Sequence, residues 1–178
     1  MSGALRITEV DAPAPRRTST GAVVLEWWVD LACPDTADSV EPLDELRERF
    51  GDALDVRLRH FPLTNHVWAV AAAQCQVEAE RQGQGWAYAV RALHAIDEIE
   101  GPADYVDLAE HLGLDADEVA AALFDGRHAR AVRDDHDAGR ELGVVAVPTF
   151  VVDGLMVDAD PTREGLVAVL AARITAAG

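Results

Sequence analysis

Apolar and polar positions along this chain change period several times, and each change marks an element. Ala22 to Val29 (AVVLEWWV) is a short β-branched and aromatic run, which predicts a buried central strand. From Pro34 the period becomes 3.6: Ala37, Val40, Leu43, Leu46 and Phe50 share one stripe, while Asp38, Glu41, Asp44, Glu45, Arg47 and Glu48 lie off it. That spacing predicts an amphipathic helix. Pro34 suits its first position, because the N–H that proline lacks would have no intrahelical partner there, and Cys33 then becomes the N-cap. Pro42 falls inside the stripe, where a missing hydrogen bond and a crowded preceding turn predict a kink. Gly51 ends the helix, and Leu54 to Phe61 alternates Leu54, Val56 and Leu58 against Asp55, Arg57 and Arg59, a second strand.

Between Asn65 and Gly143 no strand pattern occurs. Glycines divide this stretch into helices expected over Asn65 to Gln82, Gly85 to Ile99, Pro102 to Leu112, Asp115 to Phe124 and Arg127 to Leu142. Asp115 with Glu118 three residues on has the spacing of a reciprocal capping box. Thr149 to Val152, the turn Asp153-Gly154 and Leu155 to Val157 form a hairpin signal, and a last helix is expected from Pro161 to about Ala172. Before the first strong strand, Asp11 to Gly21 (DAPAPRRTSTG) has linker composition, and Leu5 to Val10 reads as a weak edge strand. The expected organisation is a tail over residues 1–20 and one α/β domain over 21–178, with 65–143 as an all-helical insertion.

Composition narrows the function. The chain has 32 acidic and 15 basic residues, a formal charge of −17, and every basic residue is arginine. No basic run is present to neutralise phosphates, which argues against nucleic acid, and anionic membranes would repel such a surface. Solubility is the plain reading of the charge. No targeting signal or apolar run of membrane length is visible, so a cytoplasmic chain is expected. Two cysteines, Cys33 and Cys75, exclude a disulfide framework, and a reducing compartment makes free thiols the default for both.

The segment Asp30-Leu31-Ala32-Cys33-Pro34-Asp35-Thr36 resembles the Asp-x-x-Cys-Pro-x-Cys active-site segment of DsbA-like thioredoxin-fold proteins. Val147-Pro148-Thr149-Phe150 resembles the family's Val-cisPro-Thr loop, and Arg59-His60-Phe61-Pro62-Leu63 with Asn65-His66 resembles its lead into the helical insert. The resemblance covers Gly21 to about Ala172. It implies a thioredoxin-like fold with a helical insertion, a nucleophilic Cys33 facing Pro148, and a substrate-binding surface including Pro34, Asp35, Val147 and Pro148, with Val147 pairing to an extended substrate as an added strand edge. A thiol at a helix N-cap is favoured as thiolate by the macrodipole and the free N–H groups of the first turn, whereas Asp30 and Asp35 oppose this by like-charge repulsion.

One departure from the pattern decides the mechanism: Thr36 stands where the family carries its second cysteine. A threonine hydroxyl cannot resolve a mixed disulfide, so dithiol cycling within the motif is excluded. What remains is monothiol chemistry at Cys33, with Thr36 as a hydrogen-bonding neighbour and an external small thiol, glutathione or mycothiol, as cosubstrate; no bound cofactor is expected. Partners would be protein or small-molecule thiols and disulfides, and the chain a monomer or homodimer. Two other readings stand beside this one. One is a non-catalytic thioredoxin-fold binding module that has lost redox cycling. The other is a thiol-dependent transferase or isomerase like the kappa-class glutathione transferases and hydroxychromene-carboxylate isomerases, against which counts their usual serine at the Cys33 position.

Other chemistry-bearing residues carry plainer readings. Cys75 shares a helix face with Val67 and Ala71, the setting of an inert buried cysteine. His60 and His66 flank the exit of the second strand, near the family's active-site surface, where two readings stand: assisting a thiolate or binding a substrate acid, and, as the plainer one, surface or supporting polar residues. His94, His111, His128 and His136 fall on separate helices without ligand spacing. Trp27 and Trp28 project to opposite faces of their strand, so one faces the core and packing against the helical insert accounts for the other.

Overall fold

A computed structural model describes residues 6–10, 18, 21–158 and 163–176. The chain divides into two compact units, one made of the described parts of Met1–Trp28, Asp38–Arg59 and Gly139–Gly178, the other of Val29–Ala37 and His60–Ala138.

The first unit is built on a five-stranded sheet. Its strands are β1 (Arg6–Glu9), β2 (Val23–Val29), β3 (Leu54–His60), β4 (Thr149–Val152) and β5 (Leu155–Asp158), in the order β1-β5-β4-β2-β3. The pairs β1 with β5, β5 with β4 and β4 with β2 are antiparallel. The hairpin between β4 and β5 turns on Asp153 (φ 48°) and Gly154 (φ 77°), the two positive φ values of a type I′ turn. Glycine tolerates that backbone freely, and aspartate is among the few side chains that do.

Strand β2 is interior and buried on both faces. Leu25, Trp27 and Val29 are inaccessible on one, and Trp28 on the other is equally buried, so both tryptophans are enclosed. Trp27 donates its indole N–H to Ser39 Oγ at 3.1 Å. The half-buried exception on this strand, Glu26, takes the Arg59 guanidinium of β3 at 3.0 Å.

The helix expected from Pro34 to Phe50 forms in two pieces: α1 (Pro34–Ala37) and α2 (Val40–Phe50). The interruption falls at Asp38-Ser39 and not at Pro42. Pro42 is the third residue of α2, a position whose N–H has no partner inside the helix, so proline costs no hydrogen bond there. Gly51 closes α2 as expected, its N–H bonding to the Arg47 carbonyl.

The second unit carries α3 (Ala69–Arg81), α4 (Gly85–His94), α5 (Pro102–His111), α6 (Ala116–Asp125) and most of α7 (Ala129–Leu142). Helix α3 packs against α4, α5 and α6, and α1 packs against α4. Ala72, Ala73, Ala79, Ala89, Ala92, Ala109 and Ala122 fill these contacts, small side chains that let helices approach closely with little loss of side-chain entropy. The capping box expected at Asp115 is half formed. The Asp115 carboxylate accepts the Glu118 N–H, but the Asp115 N–H donates to Gln82 Oε1 and the Glu118 carboxylate instead holds Arg127. The final helix, α8 (Arg163–Thr175), lies in the sheet unit; Pro161, where it was expected to begin, is outside the described residues.

Candidate functional site

Cys33 comes after β2 through a tight turn. Its N–H donates to the Asp30 carbonyl at 3.1 Å, and its own carbonyl accepts the N–H groups of Thr36 and Ala37, so the residue caps α1. Pro34 and Asp35 are exposed, Thr36 is fully buried and Cys33 is 5% exposed. These four residues form one turn, as their adjacency requires. Because α1 is only four residues long and ends before Asp38-Ser39, the helix that Cys33 caps is a single turn and not the long helix expected from the hydrophobic stripe.

The turn is organised by Asp30, whose side chain is completely buried. One carboxylate oxygen accepts the Ala32 N–H at 2.8 Å. The other accepts the Leu63 N–H at 2.8 Å and the His66 Nδ1–H at 2.8 Å. A buried carboxylate is costly unless donors surround it, and here three converge. They draw residues 63–66 onto the cysteine turn, and this is why α3 begins at Ala69 and not at Asn65: Leu63 to Trp68 are spent in turns that serve Asp30. Val67 accordingly lies outside the helix and is 79% exposed, so the face that buries Cys75 is not shared with it.

The remaining expected residues sort differently. Cys75 is fully buried on α3, and burial pushes its thiol up to about 12. Tyr88 bonds to it and is itself raised by burial, while its hydroxyl donates to the Tyr105 carbonyl at 2.7 Å. Burial and, next, the nearby Asp30 charge raise Tyr105 to about 12. His60, read from sequence as a surface or supporting residue, is buried. Its Nε2 lies 2.8 Å from Gln76 Oε1, its backbone N–H donates to the Asp135 carboxylate, and burial lowers its proton affinity. His128, placed on a helix by the sequence reading, precedes α7, and its Nε2 lies 2.6 Å from the buried Glu78 carboxylate. The signal for that pair was present: Gln74, Gln76 and Glu78 are polar residues on the buried side of α3, and each needs a partner. In the sheet unit, the Val147–Pro148 peptide bond is cis, Val147 is buried, and the Thr149 hydroxyl donates to the Ala146 carbonyl at 2.7 Å.

A strand leading into a cysteine turn, a cis proline at the start of β4, and an all-helical insertion after β3 together define a thioredoxin-type protein. The family model described as Thioredoxin matches residues 18–172, and the chain belongs to that family. Its fold is DsbA-like. Oxidised BdbD from Bacillus subtilis superposes with a TM-score of 0.79 at 15% identity, covering 93% of this chain and 99% of that one. Wolbachia pipientis alpha-DsbA1 gives 0.74 at 16% identity, with 94% and 95% covered. Pseudomonas aeruginosa DsbA gives 0.74 at 15% identity, with 99% and 96% covered.

Similarity in sequence points elsewhere as well. A stretch of 130 residues is 37% identical to Na(+)/H(+) antiporter NhaA 3 of Salinispora tropica, covering 71% of this chain and 19% of that protein. Another of 154 residues is 29% identical to Na(+)/H(+) antiporter NhaA 1 of Mycolicibacterium vanbaalenii, covering 85% and 25%. This chain thus spans a quarter or less of the length of these relatives. Among its described residues no helix is long and apolar enough to cross a membrane.

Proposed function

We propose that this chain is a monothiol thiol-disulfide oxidoreductase acting through Cys33 in the cytoplasm. The observation that carries the reading is the cysteine turn itself: Cys33 caps α1 directly after β2, and the position three residues on, where a resolving thiol would sit, holds the buried Thr36. In the first step the Cys33 thiolate attacks one sulfur of a disulfide R–S–S–R. A Cys33–S–S–R bond forms, the original S–S bond breaks, and R–S⁻ leaves with the electron pair. A second small thiolate R′–S⁻, of the glutathione or mycothiol class, then attacks the adduct's R sulfur, giving R–S–S–R′ and restoring the Cys33 thiolate. No electrons accumulate on the protein, and Thr36 has no covalent part. Pro34 and Asp35, exposed beside the thiol, would meet the substrate, and Val147 before Pro148 would pair with an extended peptide.

Intact-mass analysis after incubating the reduced chain with glutathione disulfide tests this. One glutathionyl group on Cys33, absent from Cys33→Ser, is expected; no adduct on the unmodified chain refutes the reading.

A second reading, a binding module that partners a membrane antiporter, is favoured by one observation: relatives named Na(+)/H(+) antiporters contain a stretch similar to this chain as about a fifth of their length. Co-purification of Cys33→Ser with such an antiporter would support it, and binding that requires the thiol would refute it.

A further inference from the structure

We propose that His66 is a positioning residue for the Cys33 nucleophile, acting through the buried carboxylate of Asp30. This inference rests on the monothiol reading above and adds to it a residue that touches neither substrate nor the reacting sulfur. Asp30 has two attachments to the cysteine turn: its carbonyl accepts the Cys33 N–H at 3.1 Å, and its carboxylate accepts the Ala32 N–H at 2.8 Å. Any change in how that carboxylate is held is therefore transmitted to the backbone carrying the thiol.

His66 holds it from the opposite side. Its Nδ1–H donates to Asp30 Oδ2 at 2.8 Å, beside the Leu63 N–H on the same oxygen. The His66 side chain is 19% exposed and that of Asp30 is not exposed at all, so the imidazole reaches solvent while the carboxylate it holds does not. His66 is in turn fixed by its own backbone, its N–H donating to the Leu63 carbonyl and its carbonyl accepting the Ala69 N–H at the start of α3. The arrangement links α3 through His66 and Asp30 to the residue that caps α1.

A buried carboxylate is costly unless donors surround it, and His66 supplies one of the three that hold Asp30 in place. A donor at the Nδ1 position is what this function needs. Asparagine can supply one there, because its amide nitrogen occupies about the place of Nδ1; glutamine places its amide nitrogen nearer Nε2.

The test is the rate at which Cys33 of the full chain is alkylated by iodoacetamide at neutral pH, monitored by peptide mass spectrometry with Cys75 as internal reference. His66→Ala and His66→Gln should each slow Cys33 by about tenfold or more, the usual scale for losing an orienting hydrogen bond behind a reactive group, and His66→Asn should restore most of the rate. In an Asp30→Ala background, which removes both carboxylate oxygens, the His66 substitutions should add no further change, because the acceptor they serve has gone. Rates for His66→Asn and His66→Gln that agree with each other, or an undiminished His66 effect in Asp30→Ala, overturn the inference while leaving Cys33 chemistry standing. If His66→Ala or Asp30→Ala does not fold, the asparagine and glutamine comparison decides. A Cys33 that reacts no faster than Cys75 in the unmodified chain overturns the monothiol reading and this inference with it.

Discussion

Replacing Asp30 by asparagine changes one oxygen into an NH₂ group and nothing in size, so the cost can be counted from its partners. The carboxylate accepts three hydrogen bonds in a site with no solvent exposure: Ala32 N–H on one oxygen, Leu63 N–H and His66 Nδ1–H on the other. An amide has a single acceptor. Its better orientation keeps the oxygen toward Leu63 and His66 and turns the NH₂ toward the Ala32 N–H, so one bond is lost and two donors face each other. A buried donor left unsatisfied costs about 1–3 kcal/mol, and here the backbone N–H and the new amide both lack an acceptor. Loss of charge weakens the two surviving bonds, while relief of carboxylate desolvation offsets part of this. The net expectation is about 3 kcal/mol, a large share of a typical domain's stability but short of all of it. For a chain of this length that lowers Tm by about 6–12 °C. Urea unfolding at neutral pH, read by tryptophan fluorescence, should show a lower midpoint with an unchanged slope. A loss under about 0.5 kcal/mol, the range of ordinary surface substitutions, would refute the claim that Asp30 organises the cysteine turn.

Three further outcomes are expected. Burial that pushes the Cys75 thiol up to about 12 makes it silent in the native state, so a chromogenic disulfide reagent at pH 8 should titrate Cys33 alone, and both thiols only in urea; two thiols titrating in the native chain would contradict the packing of α3. His60 is buried with its proton affinity lowered, so the unfolded chain binds the proton first: its contribution is constant above its ordinary value of 6.5 and is lost as pH falls below it, at up to about 1.4 kcal/mol per pH unit until the folded state also protonates. His60→Gln should flatten that part of a stability-versus-pH curve, and an unchanged slope would show that His60 is not the group responsible. His128→Ala leaves the buried Glu78 with Arg127 and Arg81, 3.9 and 4.0 Å away, as its ion-pair partners among the described residues and should cost about 3 kcal/mol, whereas Glu78→Leu with His128→Leu should cost less than either single change, as a double-mutant cycle would read.

Much of the fold was legible because it is written in short-range patterns. The apolar run of β2, the alternation of β3, the Asp153-Gly154 turn and the glycine-punctuated helices all appear where periodicity and turn chemistry place them. The misplaced boundaries share one cause. Helix α3 begins four residues later than its pattern because Leu63 and His66 donate to a carboxylate more than thirty positions earlier. The helix after Cys33 breaks at Asp38-Ser39, where Ser39 receives the Trp27 indole, and not at the proline that local rules single out. The burial of two histidines was not legible for the same reason: His60 and His128 look polar in isolation, and only partners far along the chain, Gln76 and Glu78, show that they are buried.

The sequence by itself determined the class of fold, the position of Cys33 and the absence of a second cysteine beside it, because these depend on residue identity and on spacings of a few residues. The tertiary structure alone decided what surrounds that thiol. Three donors met on Asp30 only once the chain had folded back, since a buried carboxylate takes its partners from whatever backbone and side chains packing brings within hydrogen-bond reach, and distance along the chain does not measure that.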